Sequence, residues 1–271
     1  MKKAILFLIC LFAVIVLVLT ACSNLNLSEP NPDYIPVFFS DPNLEAVVRD
    51  KIGKPTEHVY LSDCKAIKYL AASLSNRTVT IMDLTGIEYC TNLAYIVFQG
   101  RRTYDINVNK GISDISALSG LINLKQLFLG TNNISDISTL NGLTNLTYLN
   151  LRFNSINDIS ALNGLTNLTY LDLDFNSISD ISALSGLTNL TYLDLGDNNI
   201  SDISVLNGLT NLTYLYLGYN NISDITALVD NSDAGGLGSG DYVNLANNPL
   251  STRAIDVDIP YLQAKGVTVY Y

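Results

Sequence analysis

One spacing dominates the sequence: the same residue types return every 22 positions. Asparagine follows this step at Asn132, Asn154, Asn176, Asn198 and Asn220. Leucine and isoleucine follow it at Leu127, Leu149, Leu171, Leu193 and Leu215 and at Ile137, Ile159, Ile181, Ile203 and Ile225. The shared pattern is Leu-x-x-Leu-x-Leu-x-x-Asn-x-Ile-x-Asp-Ile-x-x-Leu-x-x. Since one such unit cannot bury its own leucines, the units must stack around a common core.

The frame of each unit is that of a leucine-rich repeat. Its Leu-x-Leu step has the period of a strand, so both leucines point inward while their neighbours face outward. Stacked units then form a parallel sheet with strands about 4.8 Å apart. The sequence therefore predicts an α/β fold class, a leucine-rich repeat solenoid with its parallel sheet on the concave face.

Each 22-residue coil has little room behind the sheet. We expect a 3₁₀ turn on the convex face of each unit, because a full α-helix would not fit. The expected caps of these turns are Asp136, Asp158, Asp180, Asp202 and Asp224. The recurring asparagine is predicted to be structural, with its amide satisfying backbone groups at the corner after the strand. The sequons at Asn145, Asn167, Asn189 and Asn211 are taken as by-products of the repeat.

Two intervals exceed the period. Leu93 to Leu124 spans 31 residues and Asn220 to Asn248 spans 28. The surplus lies at 101–109 and around 230–240, where we expect surface loops. Two roles are open for the first, part of a binding surface or a plain spacer, and the glycine-rich stretch 235–241 is expected to be a flexible loop.

Helical and strand elements are predicted to cap both ends of the core. In the N-terminal cap, a helix starts at Asp41-Pro42, ends at Gly53 and buries a face made of Leu44, Val47, Val48 and Ile52. A second short helix is expected from about Ser62, using Ile67 and Leu70. In the C-terminal cap, Ser251 starts a helix with Ile255 and Ile259 inward, Pro260 breaks or restarts it, and 267–271 is a closing strand.

The N-terminus has the features of an export signal. Lys2 and Lys3 precede an apolar run that ends in Leu19-Thr20-Ala21-Cys22. The last four residues resemble a bacterial lipobox, so residues 1–21 are predicted to be a lipoprotein signal peptide and Cys22 the lipidated first residue of the mature protein. An uncleaved N-terminal membrane helix is the alternative.

The predicted organisation continues with a tether at 22–36, which contains three prolines. A helical N-terminal cap follows at 37–78, leucine-rich repeats at 79–228, and the last repeat with the C-terminal cap at 229–271. Cys64 and Cys90 remain in the exported part. Export allows a disulfide between them, but both occupy apolar positions where buried free thiols fit as well.

Charge and composition exclude several function classes. The formal net charge is −10, and no basic stripe is present to contact phosphates, which argues against a nucleic-acid partner. His58 is the sole histidine, so no Ser-His-Asp or Cys-His set can be assembled. We predict neither a cofactor nor an enzymatic activity. Paired carboxylates on the concave face could serve a glycosidase, but we expect that face to be open to water and the pKa values there not to be raised.

The outward strand positions define the candidate ligand surface. The first of these positions is nearly always tyrosine, which suits either sheet stability or binding. The later positions vary and group exposed aromatic residues as an interface does. The predicted ligand-binding residues are Tyr148, Tyr170, Tyr192, Tyr214, Phe128, Arg152, Phe153, Asp172, Asp174, Phe175, Asp194, Asp197, Tyr216 and Tyr219.

Four of these residues are acidic and lie on neighbouring units, with Arg152 as the one positive charge nearby. Their mutual repulsion favours a cationic group on the partner. A Ca²⁺ site built from Asp172, Asp174, Asp194 and Asp197 is an alternative, and solvated surface charge is the commoner outcome.

From about Asp41 onward, the chain resembles the internalin-type leucine-rich repeat proteins of bacterial surfaces. The most specific stretches are 143–149 with its copies and Ile134-Ser135-Asp136-Ile137. The resemblance implies a helical N-terminal cap and protein binding through the concave sheet. The predicted lipid anchor and the lack of a long wall-attachment region differ from the well-known members, so a host-invasion role is not carried over.

The resulting hypothesis is a lipid-anchored protein of the bacterial cell envelope, facing outside the cytoplasm, that binds a protein or peptide ligand. Two alternatives remain. One is a structural envelope lipoprotein without a specific ligand. The other is a carbohydrate-binding adhesin that uses the tyrosines as stacking platforms.

Overall fold

The computed structural model describes Asn31 and residues 34–72, 80–100 and 111–271. Within these ranges, nine strands form one parallel sheet in sequence order. The strands are β1 (Tyr69–Ala71), β2 (Tyr95–Val97), β3 (Gln126–Phe128), β4 (Tyr148–Asn150), β5 (Tyr170–Asp172), β6 (Tyr192–Asp194), β7 (Tyr214–Tyr216), β8 (Tyr242–Asn244) and β9 (Thr268–Tyr270). The predicted signal peptide, Cys22 and the 101–109 insertion lie outside the described residues. No helix within the described ranges is long and apolar enough to cross a membrane.

The strand register confirms the leucine-rich repeat solenoid. Strands β4 and β5 pair with Leu149 opposite Leu171, a step of one repeat, and β5 pairs with β6 in the same way. The central leucines are fully buried, and their strand neighbours face the concave side. One continuous hydrophobic core runs from the N-terminal cap through every rung, where a rung is one repeat unit. The alternation read from the sequence therefore places the candidate site on one face.

The N-terminal cap begins at the end of the predicted tether. Pro36 pairs with Tyr60 in an antiparallel bridge, and Val37 and Phe39 are buried in the core. Two helices follow, α1 (Pro42–Ile52) and α2 (Leu61–Ala66). As predicted, Asp41 caps α1, since its Oδ1 accepts hydrogen bonds from the backbone N–H of Asn43 and Leu44.

The second helix is shorter than the sequence predicted. Leu70 lies in strand β1, not in a helix, although it is buried as expected. The backbone N–H groups of Ala94 and Tyr95 both donate to the carbonyl of Lys68, so the chain here pairs with the first repeat. Cys64 within α2 and Cys90 beside it are buried free thiols. The hydrogen bond with Cys64 and burial raise the pKa of the Cys90 thiol.

The convex face carries short 3₁₀ turns, as predicted. They span Ile87–Tyr89, Ser116–Leu118, Ser138–Leu140, Ser160–Leu162, Ser182–Leu184 and Ser204–Gly208. The expected aspartate caps are confirmed, because Asp180 Oδ1 accepts from the backbone N–H of Ser182 at 2.8 Å and its equivalents do the same. Asp224 caps an α-helix instead, α3 (Thr226–Asp233).

The second insertion is not a surface loop throughout. Its first residues extend the convex turn into α3, since the longer coil leaves room for a helix. Leu237 is buried, and its N–H donates to Asn231 Oδ1 at 2.9 Å. Asn231 Nδ2 donates in turn to the carbonyl of Leu206 at 2.8 Å, which ties the insertion to the preceding rung.

The C-terminal cap differs from the prediction in one helical face. Ser251 Oγ accepts from the backbone N–H of Ala254 as expected, but a π-helical turn (Ala254–Asp258) precedes α4 (Ile259–Ala264). Because Pro260 has no N–H to donate to the preceding turn, the helix widens there and its face rotates. Ile255 is therefore exposed, whereas Ile259 is buried. Strand β9 closes the sheet as predicted.

The recurring asparagine has the structural role that the sequence predicted. Asn198 Nδ2 donates to the carbonyls of Leu173, Leu195 and Gly196, at 3.1, 3.2 and 2.9 Å. Its Oδ1 accepts from the backbone N–H of Ile178 at 2.9 Å. Each such residue therefore links its own rung to the preceding one.

The sequon asparagines form a second set of bonds between rungs. Asn167 Nδ2 donates to the carbonyl of Thr144 at 2.8 Å, and Asn145, Asn189 and Asn211 make the equivalent bond. Asn-Leu-Thr therefore has a structural explanation within the repeat.

Candidate ligand-binding face

Stacked rings form the centre of the concave face. Tyr148 and Tyr170 lie 3.8 Å apart between ring centroids and 6° from parallel, and Tyr170 and Tyr192 lie 4.2 Å and 7° apart. Phe128 adds a ring at 4.5 Å from Tyr148. The strand spacing of about 4.8 Å brings the equivalent rings of Tyr148, Tyr170 and Tyr192 to stacking distance. Phe128 lies opposite Asn150 and reaches Tyr148 diagonally. We call Phe128, Tyr148, Tyr170 and Tyr192 the aromatic ladder.

The stacking determines which part of each ring a ligand can reach. The faces of Tyr148 and Tyr170 cover one another, so the ladder presents mainly ring edges and hydroxyl groups. Burial raises the pKa of the Tyr170 and Tyr192 hydroxyls, which keeps them protonated. Beyond Tyr192 the order changes, because Tyr216 is tilted at 5.5 Å from it and Tyr214 is half exposed at 6.3 Å.

A row of polar residues next to the ladder supports the backbone. Asp172 Oδ1 accepts from the N–H of Asp174 at 3.2 Å, and Asp194 Oδ1 accepts from the N–H of Gly196 at 3.0 Å. Asn150 Nδ2 also donates to Asp172 Oδ2 at 2.6 Å. The sequence predicts Asp172, Asp174 and Asp194 as ligand contacts because their positions vary between rungs. They also stabilise the strand exits, which the sequence did not reveal.

The expectation that this face is open to water is wrong at Asp172, whose exposure is 3%. Burial, followed by the nearby charge of Asp194, raises the pKa of Asp172 to about 6 and that of Asp174 to about 7. Burial also raises the pKa of Asp194 and of Asp197. Arg152 opposes the shift at Asp172 and Asp174. We call Asp172, Asp174, Asp194 and Asp197 the acidic patch.

Neither catalysis nor metal binding gains support from these shifts. The carboxylate of Asp172 is occupied by the amide of Asn150 and the backbone of Asp174. Across the described ranges, no three histidine, cysteine or acidic side chains are grouped so that they could hold a metal ion. The calcium alternative therefore has no geometric support in the acidic patch.

The strand exits have a left-handed backbone that the sequence did not predict. Positive φ angles between 48° and 61° occur at Thr131, Phe153, Phe175, Asp197, Tyr219 and Asn247. Side chains disfavour this region by about 1–2 kcal/mol per residue relative to glycine. Even so, aromatic residues occupy three of these positions. Phe153 stacks on Phe175 at 4.2 Å, and Phe175 and Tyr219 are 43% and 58% exposed.

Two buried glycines lie beside the acidic patch. Gly196 and Gly218 follow Arg152 and Asp174 in the same outward position of successive rungs. A Cβ atom at Gly196 would lie 2.9 Å from Asp174 Oδ1 and 3.3 Å from Asp194 Oδ1. The absence of a side chain at Gly196 therefore makes room for these two carboxylates, which lie close over the backbone there. The glycines were visible in the sequence, but their neighbours across the sheet were not.

The structure brings the predicted ligand-binding residues together on adjacent rungs of one face, from Phe128 on β3 to Tyr219 after β7. Of the predicted site residues, only Cys22, the predicted lipidation site, lies outside the described residues. The face combines an aromatic ladder and an acidic patch.

Comparison with known proteins identifies related families and structures. A sequence family described as Leucine Rich repeats (2 copies) matches residues 144–186 and 188–230. A search of curated proteins gives no match. Among solved structures, the ectodomain of the plant receptor kinase GASSHO1/SCHENGEN3 from Arabidopsis thaliana is 23% identical, with a TM-score of 0.53 over 70% of this chain and 22% of that chain, and shows the fold alone.

Two solved structures from Listeria monocytogenes are more similar in sequence. An internalin (inlF) is 31% identical, with a TM-score of 0.59 over 79% of this chain and 66% of that one. An internalin C2 (inlC2) is 32% identical, with a TM-score of 0.54 over 83% of this chain and 99% of that one. The fold, the repeat and this likeness agree, and the chain belongs to the internalin-type leucine-rich repeat proteins of bacteria.

Proposed function

We propose that this protein binds a protein or peptide ligand through its concave face. The observation that carries the proposal is the placement of exposed aromatic residues at strained strand exits. Phe175 and Tyr219 keep large side chains where glycine would relieve the backbone. Backbone strain of this kind is concentrated at functional sites, and clustered exposed aromatic residues are typical of interface hot spots.

The fold is consistent with this role. Leucine-rich repeat domains typically mediate protein–protein interactions, and the structure of the plant receptor ectodomain is that of a complex with CASPARIAN STRIP INTEGRITY FACTOR 2. That protein shares only the fold with this chain, so its ligand is not carried over.

The ring geometry favours a polypeptide over a carbohydrate. A sugar stacks on the open face of an aromatic ring, but the faces of Tyr148 and Tyr170 are only 3.8 Å apart and cover each other. Ring edges and hydroxyl groups suit the mixed apolar and hydrogen-bonding surface of a protein.

We further propose that Cys22 anchors the protein in the bacterial envelope, with residues 22–36 as the tether between lipid and cap. Two acyl chains give stable membrane attachment where one does not. Replacing Cys22 by serine should move the protein from the membrane fraction to the soluble fraction. Unchanged fractionation would favour an uncleaved N-terminal helix.

Site-specific photo-crosslinking in intact cells tests the binding role. A photoreactive phenylalanine analogue replaces Tyr219 on the concave face or, as a control, Ile122, which is also well exposed but lies outside that face. We expect a discrete cross-linked partner from position 219 and none from position 122. Identical products or no product at both positions would support a structural lipoprotein. A glycan array with the purified protein tests the carbohydrate alternative.

A further inference from the structure

We infer that the N-terminal cap lies on the surface of the lipid bilayer through an apolar strip made of Tyr34, Ile35, Pro36 and Phe38. The contact depends on the lipid anchor proposed above and adds a second attachment to it. The occupant of the strip is the interfacial region of the bilayer, where acyl chains meet head groups. Two attachments would hold the solenoid in one orientation, with its repeats pointing away from the membrane.

The strip exposes apolar side chains to solvent. Phe38 is 76% exposed and Tyr34 67% exposed, whereas Val37 and Phe39 are buried. Among the described residues, no other large apolar side chain is as exposed as Phe38. Apart from the Tyr34 hydroxyl, no side chain of residues 34–39 can form a hydrogen bond. A contiguous apolar surface of this kind indicates an interaction site for an apolar environment.

The backbone of the strip is fixed to the cap. The N–H of Val37 donates to the carbonyl of Val59 at 2.8 Å, and the carbonyl of Ile35 accepts from the N–H of Leu61 at 2.9 Å. The exposed side chains are therefore presented by an ordered segment. Little conformational entropy is lost when such a segment binds, because its backbone is already in place.

The neighbours of the strip match the chemistry of a bilayer interface. The ring of Tyr34 packs against that of Tyr60 at 5.8 Å between centroids. Lys54 Nζ lies 5.5 Å from the centroid of the Tyr60 ring. Tyrosine and lysine are typical of this region, because their apolar parts enter the lipid while the hydroxyl or ammonium group stays among the head groups.

The position of the strip in the chain keeps it near the proposed anchor. Tyr34 follows Cys22 by 12 residues, and even a fully extended chain of that length spans at most about 43 Å. This confinement raises the effective concentration of the bilayer at the strip. An apolar area too small to bind a membrane by itself can then maintain a contact, because the lipid anchor supplies the first attachment.

The charge distribution favours the cap as the end that faces the membrane. Residues 37–72 carry five acidic and five basic side chains, whereas residues 111–271 carry 15 acidic and four basic ones. A bilayer that contains anionic lipid repels the acidic repeats but not the balanced cap. The end of the solenoid that bears the strip is therefore also the end that can approach such a bilayer without repulsion.

Tryptophan fluorescence in vesicles tests the contact, because the chain has no tryptophan of its own. Phe38→Trp and Tyr34→Trp each place a single reporter on the strip, and Ile122→Trp places one on an exposed position outside it as the control. Each full-length variant, purified with its lipid, is reconstituted into vesicles of phosphatidylcholine and phosphatidylglycerol. The acyl chains carry bromine, which quenches tryptophan at contact, in one of two matched preparations.

We expect emission at shorter wavelength and strong quenching by brominated lipid at positions 34 and 38, and neither effect at position 122. Equal quenching at all three positions, or none at any of them, would overturn the inference. Emission at short wavelength from position 38 that brominated lipid does not quench would also overturn it, because a protein surface such as a second copy would then cover the strip.

Cross-linking in intact cells gives a second readout. The photoreactive phenylalanine analogue at position 38 should yield a phospholipid adduct, detected as a mass increase of the peptide that contains it. Position 122 should yield none. A protein adduct at position 38 would refute the bilayer as the occupant of the strip.

The two proposals fail in different ways. If the lipidated protein stays with the vesicles but the reporters at positions 34 and 38 are not quenched, the cap contact is wrong and the lipid anchor stands. If the purified protein carries no lipid on Cys22, the anchor fails and the contact that depends on it fails too. Ligand binding by the concave face is tested separately by cross-linking from position 219.

Discussion

Replacing Asn198 by alanine tests whether the recurring asparagine holds the rungs together. The side chain is 8% exposed and makes four hydrogen bonds to backbone groups. Three of these bonds go to carbonyls that keep another partner. The carbonyl of Leu173 also accepts from Asn176 Nδ2, that of Leu195 from Asn220 Nδ2, and that of Gly196 from the N–H of Phe175.

The backbone N–H of Ile178 would bear most of the cost. It is buried and donates to Asn198 Oδ1, so alanine leaves it without an acceptor. An unsatisfied buried donor costs about 1–3 kcal/mol, and the shared carbonyl bonds add a smaller amount. We therefore expect the free energy of unfolding to fall by about 2–4 kcal/mol. Asn198→Asp keeps the acceptor but turns a carboxylate toward three carbonyls. Its free energy of unfolding should therefore be lower than that of Asn198→Ala near neutral pH and should rise again in acid.

Asn199 provides the matched control. It is the next residue, its side chain is exposed, and its backbone N–H bond to the carbonyl of Ile178 survives substitution. Asn199→Ala should change stability by less than about 0.5 kcal/mol. Urea denaturation followed by circular dichroism measures both variants, and amide hydrogen exchange at Ile178 should accelerate in Asn198→Ala alone. Equal stability of the two variants would refute the reasoning.

Two further predictions concern the concave face. Tyr170→Ala removes a ring stacked on both sides and should lower the free energy of unfolding by about 2–3 kcal/mol. Tyr170→Phe keeps the ring and should stay within about 1 kcal/mol of the wild type. Urea denaturation distinguishes the two variants, and equal losses would contradict a stacking role. Asp172 and Asp174 have raised pKa values in the folded state, so the folded protein binds more protons than the unfolded chain between about pH 4 and about pH 7. These two groups therefore make the free energy of unfolding fall as pH rises through that window. Asp174→Asn should flatten this slope in urea titrations, and an unchanged slope would show that the carboxyl titrates normally.

The sequence predicted the repeats more completely than the ends. Leu149 and Asn198 recur at a fixed step, so one local solution explains every copy. Leu70 and Ile255 lie outside the period, and for them the sequence offered only helical spacing. Pairing with the next rung determined the place of Leu70, and the π-helical turn before Pro260 determined that of Ile255.

For the candidate site, strand alternation identified the outward face but not its chemistry. The stacking of Tyr148 on Tyr170 depends on the distance between rungs, which no single unit contains. The burial of Asp172 depends on Asn150, one rung away. The left-handed backbone at Phe175 has no local signal, since glycine, its usual marker, is absent there. Contacts between units are therefore the part that a one-dimensional pattern could not provide.

The bonds made by the recurring asparagines also bear on how such a chain can evolve. Because each one joins equivalent atoms of adjacent copies, duplicating or deleting a whole copy recreates the same junction, whereas gaining a single residue inside a copy breaks it. Unequal recombination could then lengthen or shorten the array without a loss of foldability.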